Sequence, residues 1–518
     1  MTLKQFSRKI DSYWFSDVEP LKFPSLQEDL SADILIVGAG ITGILTAYCL
    51  SKVGKKVTIV DADQIGGGET GCTTAHLTWV LDSGYAELEK FFNADKARLA
   101  FESHRSAIDF IEKTIQEEKI DCDFKRVNGY TFLSPDDKKE TFEEELKTLH
   151  GFGATETSIE LKAPFDFFNT GACLRAPNQA QFHPLKFLNG LVQCIQTNGG
   201  RFFCGTRISH IESGKAKTEA GHEITANRII VATHSPIKNI LFFLKEAAYR
   251  SYVIAGKIGK NEVPAGLYCD TEDPYHYVRT QAVDDKNDLL IIGGEDHKTG
   301  QNDDYEAPFN KLESWAKKHF PMFKKTDTVW SGQIIEPVDG LAFIGLSPFH
   351  KNIYIATGYS GNGMTYSAIA AMIFRDRLLD KKNEWADLYD PTRKNLKTIK
   401  YFLEENLNMV KEMVTGYLES GDIENRKELK PGEGAIIKEG LSHLAVYRDD
   451  NGQLYSSSAV CTHLGCVVQW NSAQKTFDCP CHGSRFSGKG EVICGPAIRN
   501  LKNVAAEVPQ SSGNKILN

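Results

Sequence analysis

Toward its C-terminal end the chain reads Cys461-Thr-His463-Leu-Gly-Cys466 and then Cys479-Pro-Cys481-His482-Gly-Ser484. No other stretch restricts the fold so tightly. A Cys/His pair occurs twice, each within a run short enough to be one loop. Two thiolates and two neutral imidazoles in this order suit a [2Fe–2S] cluster in which histidines replace cysteines on one iron. The alternative is a structural zinc site with Cys/His ligands. Zinc would need neither the further cysteines Cys466 and Cys481 nor the glycines at Gly465, Gly483, Gly488 and Gly495-Pro496. Glycines let backbone amides approach cluster sulfurs, a main lever on potential. Cys466 and Cys481 are spare thiols, one in each loop, placed to bridge the loops.

Residues 426–518 resemble a Rieske domain of the cytochrome bc type, in the variant that carries the additional cysteines. Position by position, the resemblance makes Cys461, His463, Cys479 and His482 the iron ligands and Cys466–Cys481 a disulfide. It implies a small all-β fold. Ser484 matches the position whose hydroxyl bonds a bridging sulfide. The chain departs from the family at Phe486, where high-potential relatives have a tyrosine. Phenylalanine cannot donate a hydrogen bond, so a potential below that of quinol-oxidising relatives is expected.

A second motif lies near the other end. Asp33-Ile-Leu-Ile-Val-Gly38-Ala-Gly40-Ile-Thr-Gly43 reads as a short apolar strand, a tight turn and a helix running to about Gly54. Lys56-Val-Thr-Ile-Val-Asp61 is a second strand ending in an acid. Gly38 makes the turn, Gly40 lets the backbone reach a pyrophosphate, and Gly43 packs helix on strand. The helix N-terminus favours phosphate, and Asp61 takes the ribose hydroxyls. Only one such fingerprint is present, which disfavours a reductase binding two nucleotides.

The chain also resembles the FAD-dependent D-amino-acid/glycine oxidase superfamily over about residues 31–385. Gly66-Gly-Gly-Glu-Thr-Gly71-Cys-Thr-Thr-Ala-His76 takes the place of that family's second flavin loop. Ile208 takes the place of its adenine-contacting residue, and Ile229-Ile-Val-Ala-Thr233 that of a later strand against the nucleotide. Trp330-Ser-Gly, Pro337-Val-Asp-Gly340 and Asn352 through Gly358, Gly361, Gly363, Met364 and Thr365 match its closing motif. These glycines open a helix whose amides can face the flavin and stabilise negative charge on it. Cys72 and His76 lie near where some dimethylglycine-type relatives attach FAD covalently. The register is not clean, and non-covalent binding is expected.

The fold class that follows is an α/β Rossmann-type FAD-binding domain with an inserted α+β substrate domain, plus a small all-β Rieske domain. The expected boundaries are an N-terminal extension at 1–30 and an oxidoreductase at 31–385. Within it, FAD binding falls to 31–84, 151–244 and 331–385, and substrate insertions to 85–150 and 245–330. A helical linker at 386–425 precedes the cluster domain at 426–518. Ile399, Leu403, Leu407, Val410, Val414 and Leu418 share one face of the linker helix, which reads as a packing face.

At 518 residues the length suits two to four domains. A net charge of −8 argues against a nucleic-acid partner. No apolar run is long enough to span a bilayer, and the first residues lack the apolar core of a signal peptide. Cys49, Cys72, Cys122, Cys173, Cys194, Cys204 and Cys269 show no pairing rhythm, as in a cytoplasmic protein.

Pro274-Tyr275-His276-Tyr277-Val-Arg279 lies on the insertion where relatives clamp a substrate carboxylate with Tyr and Arg. Tyr275, Tyr277 and Arg279 alternate, so a strand would point them to one face, either the substrate pocket or an ordinary sheet surface with an exposed Arg. Gly293 to Gly300 is either a turn or part of that pocket. The reading is an FAD-dependent dehydrogenase, rather than an oxidase, for a small amine or amino-acid-like substrate. It passes electrons through the cluster to an external one-electron acceptor. The alternatives are a flavin fed by the cluster from an external donor, and a redox sensor or electron carrier without turnover.

Overall fold

The apolar run Ile34–Val37 can bury both of its faces only inside a sheet. In the computed structural model, strand Leu30–Val37 pairs in parallel with Val57–Val60 on one side and Glu223–Val231 on the other. Residues 12–134, 139–237, 244–302, 304–418, 421–423, 425–440 and 442–504 are described. The remaining parts of the expected N-terminal extension, linker and cluster domain lie outside them. Arg201–Phe203 and Ile353–Thr357 extend the sheet in parallel, and Phe343–Leu346 closes one edge antiparallel. A parallel sheet needs cover on its faces. Helix Ile41–Lys52, buried from Ile41 to Ser51, supplies it together with helix Gly363–Leu378.

A second sheet has nine strands, in the order Thr328–Pro337, Glu246–Gly259, Asn287–Lys298, His276–Ala282, Leu267–Asp270, Lys125–Phe132, Cys173–Gln181, His76–Leu77, with Ser158–Glu160 beside Cys173–Gln181. Residues 76–77, 158–160, 173–181 and 331–337, expected with the FAD-binding segments, lie in this sheet beside strands of the two expected insertions, because the chain crosses repeatedly between the sheets.

The chain divides into two compact units, Met1–Leu407 and Asn408–Asn518. Residues just after 385 are core of the first unit rather than linker: Tyr389 is fully buried and its hydroxyl lies 2.7 Å from Ser103 Oγ. Helix Ile399–Leu418 follows. Its predicted apolar face is present, but Ile399, Leu403, Leu407, Val410, Val414 and Leu418 are all exposed. The N-terminal segment packs as well: Trp14 is buried and donates to the Thr73 carbonyl at 2.6 Å.

Among its described residues the second unit is β-rich, with a helical start and one short 3-10 turn at Arg426–Glu428. Gly434–Glu439, Ser442–Arg448 and Leu454–Ser458 form one antiparallel sheet. Gln469–Asn471, Thr476–Asp478, Arg485–Ser487 and Val492–Cys494 form another. Among the described residues no helix is long and apolar enough to cross a membrane.

Candidate flavin and iron–sulfur sites

The glycine turn has the close approaches that its sequence requires. Gly38 sits at φ +106°, and a Cβ there would meet the Ala232 carbonyl oxygen at 2.3 Å. On Gly43 a Cβ would meet the Gly38 carbonyl oxygen at 1.9 Å, so helix and turn touch through bare backbone. At Gly40 it would meet Thr70 Oγ1 at 3.0 Å. That same hydroxyl accepts the Ile41 amide at 3.0 Å, which ties the second flavin loop to the helix N-terminus. Gly71 is held against the ring of Phe15, a contact that the Tyr13-Trp14-Phe15 aromatic run could have signalled.

Asp61 ends its strand beside this turn. Its oxygens accept the Ala39 amide at 2.7 Å and the Asp63 amide at 2.8 Å. Burial raises its carboxyl above the ordinary range, and the two amides oppose that shift. The Thr206 amide donates to the Asp61 carbonyl at 2.7 Å, and buried Ile208 packs with Val37 and Val60 at the same strand ends. Thr233 follows Ala232 at the close of the Glu223–Val231 strand, its hydroxyl on the Ser235 carbonyl at 2.7 Å.

In the closing motif Gly358 has φ +72°, and the Gly361 amide donates to Asp82 Oδ2 at 3.1 Å. Helix Gly363–Leu378 begins there, with Met364 and Thr365 buried and open space beside Gly363. Turn, acid, loop and helix N-terminus thus fall around one end of the parallel sheet, where backbone amides suit a dinucleotide.

The expected substrate residues fare differently. Tyr277 and Arg279 lie on strand His276–Ala282, and Tyr275 immediately precedes it. The rings of Tyr275 and Tyr277 are 5.7 Å apart, and Tyr277 Oη lies 2.8 Å from Ser251 Oγ. Arg279 is fully buried and does not offer a carboxylate clamp. Its guanidinium donates to the carbonyls of Thr74, Ala75 and Phe182 at 3.1, 2.9 and 3.2 Å and to Gln281 Oε1. It therefore positions the flavin loop. His76 sits beside Tyr277, ring centroids 5.6 Å apart, and burial holds it neutral. Gly293 to Lys298 continue a strand instead of turning.

In the second unit each Cys/His pair occupies a tight loop. The Cys461 amide donates to the Cys466 carbonyl at 2.8 Å, and the Cys479 amide to the Ser484 carbonyl at 2.8 Å. Gly465 and Gly483 adopt φ +88° and +73°, a region that other residues rarely enter. Cys466 and Cys481 are joined in a disulfide, so they cannot act as thiolate ligands. That leaves Cys461 and Cys479, whose side chains contact each other. The rings of His463 and His482 lie 5.0 Å apart at 87°. Burial lowers their pKa values to about 3 and about 4, so both imidazoles are neutral, the form that binds metal.

The amides of His463 and Leu464 and the Ser484 hydroxyl reach the Cys461 sulfur, and the amides of Cys481 and His482 reach that of Cys479. Phe486 is fully buried in the same apolar cluster as Cys461 and Cys479. Tyr417, which sequence reasoning did not single out, donates to the Gly465 carbonyl at 2.7 Å. The donor chemistry fits a cluster with mixed Cys/His ligation.

Comparison with known proteins agrees with this geometry. The family model for FAD dependent oxidoreductases matches residues 33–377. The chain belongs to that family. A Rieske [2Fe-2S] domain model matches residues 420–505, so the two cofactors are FAD and a [2Fe–2S] cluster. The Bacillus subtilis (strain 168) Rieske 2Fe-2S iron-sulfur protein YhfW is 34% identical over 502 residues, covering 95% of this chain and 97% of that protein. Gamma-glutamylputrescine oxidoreductase of Escherichia coli (strain K12) is 26% identical over 69% of this chain and 85% of its own length. Glycine oxidase from Geobacillus kaustophilus shares the fold of the first unit with a TM-score of 0.59 and 15% identity, over 70% of this chain and 99% of its own.

Proposed function

We propose that the protein is an FAD-dependent dehydrogenase of a small amine or amino-acid-like substrate whose electrons leave through the Rieske cluster to an external one-electron acceptor. The observation that carries this reading is the presence of both centres in one chain, each with donors suited to its cofactor. Flavin accepts a hydride from carbon next to nitrogen, whereas a cluster takes single electrons. An oxidase that hands electrons to oxygen has no need of the second centre. The Escherichia coli relative, named for gamma-glutamylputrescine, supports the amine class. Unpaired Cys49, Cys122 and Cys204 in the buried core support a cytoplasmic setting.

The chain's own residues would prepare the reaction in three ways. The glycine turn and helix N-terminus bind the pyrophosphate, Arg279 fixes the loop at 74–75, and the second sheet covers the flavin from water. The test is anaerobic addition of an amine and amino-acid panel to the holoprotein, following flavin absorbance and the electron paramagnetic resonance of the cluster. Flavin bleaching followed by a reduced-cluster signal is expected. Bleaching with a cluster that stays oxidised would overturn the electron route.

A further inference from the structure

The chain before the first strand stands outside the match to the oxidoreductase family, which begins at residue 33. It nevertheless reaches the candidate FAD site at two places. Beside Asp61, the Leu26 amide donates to Thr206 Oγ1 at 3.0 Å and the Cys204 amide to the Pro24 carbonyl at 3.1 Å. Thr206 in turn donates its own amide to the Asp61 carbonyl. The second place is the loop after Gly66, against which Trp14 and Phe15 lie.

In that loop the chain turns at Ala75, which holds φ +58° although it is not glycine. Such backbone is strained and persists only where its surroundings fix it. Three consecutive carbonyls at the turn all have donors. Trp14 Nε1 takes Thr73 at 2.6 Å, and Arg279 takes Thr74 at 3.1 Å and Ala75 at 2.9 Å. The Arg279 guanidinium carbon lies 5.5 Å from the Trp14 ring centroid, so the two donors also support each other. The ring of Phe15 fills the space beside Gly71 and leaves no room for a Cβ. Asp17 anchors the segment through Lys186 at 2.8 Å, which also holds Asp123 at 3.0 Å.

We infer that residues 13–17 form a clasp that keeps the 70–75 loop in its flavin-binding shape and so slows FAD release. Trp14 and Phe15 are its positioning residues. The clasp rests on the assignment of residues 66–76 as a flavin loop and on nothing about the substrate. Without the Trp14 donor, the left-handed turn at Ala75 loses one of the restraints that hold it. The loop then relaxes away from the helix N-terminus, because Thr70 Oγ1 in the same loop accepts the Ile41 amide. That N-terminus is where a pyrophosphate is favoured.

The test is dilution of the holoprotein, with the return of free-flavin fluorescence giving the rate of FAD release. Trp14→Phe keeps an aromatic ring without the donor. It should release FAD at least about five-fold faster than wild type, the order expected when a carbonyl loses its partner. Phe15→Ala should also speed release, by leaving Gly71 unsupported. Leu312→Ala, a buried position on helix Ala307–His319, controls for stability alone and should lower Tm without changing release. Wild-type release from Trp14→Phe overturns the clasp, and so does release from Leu312→Ala as fast as from Trp14→Phe. If Trp14→Phe fails to fold, Phe15→Ala against the same control decides. Thr70→Val removes the hydroxyl that accepts the Ile41 amide, and separates the clasp from the loop assignment. Fast release from Thr70→Val with wild-type release from Trp14→Phe sinks the clasp alone. Wild-type release from both sinks the loop assignment, and the clasp with it.

Discussion

A guanidinium buried as completely as that of Arg279 is stable only when its N–H groups find acceptors, and the carbonyls of Thr74, Ala75 and Phe182 supply them. Asp296 is the opposite case, a shielded carboxylate with only the Ser251 and Tyr275 hydroxyls to set against its burial. Its carboxyl is raised by burial to about 7, so the folded protein binds a proton there that the unfolded chain has released above the ordinary carboxylate range. Stability from this group is therefore present at low pH and is lost as pH rises from about 4 through 7. Asp296→Asn should melt with wild type near pH 4 and progressively above it toward pH 9, read as the difference in Tm across that range. A constant difference would show that Asp296 does not titrate in this window. The Cys/His pairs were legible because Cys461 with His463, and Cys479 with His482, each fall within one short loop, while their assignment as ligands came from the resemblance to a Rieske domain. The role of Arg279 was hidden. Strand alternation says which side chains share a face but not what the face meets.

At the scale of elements, the turn at Gly38–Gly43 is the part of the fold most completely written in the chain. Strand, glycines, helix and acid all lie within one local unit, and at Gly38 and Gly43 the structure shows the close backbone approach that requires glycine. Gly43→Ala should therefore be damaging although alanine is the better helix former. Its Cβ would fall 1.9 Å from the Gly38 carbonyl oxygen, a backbone atom that cannot swing aside. Overpacking of this kind costs about 1–3 kcal/mol, and the shifted turn should also release FAD. Thermal unfolding together with flavin per chain checks both effects, and full flavin at unchanged Tm would mean that the helix does not rest on the turn. Non-local elements were less legible. The nine-stranded sheet draws strands from 76–77 through 328–337, and no local signal tells a strand which sheet it will join. Helix Ile399–Leu418 shows the same limit, since its periodicity located the apolar face correctly but not its exposure.

For the molecule as a whole, the question is whether two redox centres on one chain act in series. The FAD dependent oxidoreductase match lies in the first unit and the Rieske match in the second, so each centre can be disabled without touching the other. Cys461 is the position to remove. It is buried, its sulfur is reached by the His463 and Leu464 amides, and alanine there deletes a proposed iron ligand without adding bulk. If electrons leave through the cluster, Cys461→Ala should keep its FAD and bleach with substrate at the wild-type rate. It should fail to reduce a one-electron acceptor, because flavin electrons then have no single-electron exit. Stopped-flow absorbance measures the first step and steady-state acceptor reduction the second. An unchanged first step with a second reduced at least about a hundred-fold, or about 2.7 kcal/mol of barrier, is the expected split. Acceptor reduction at the wild-type rate would take the cluster off the electron path, leaving the second unit a sensing or structural role.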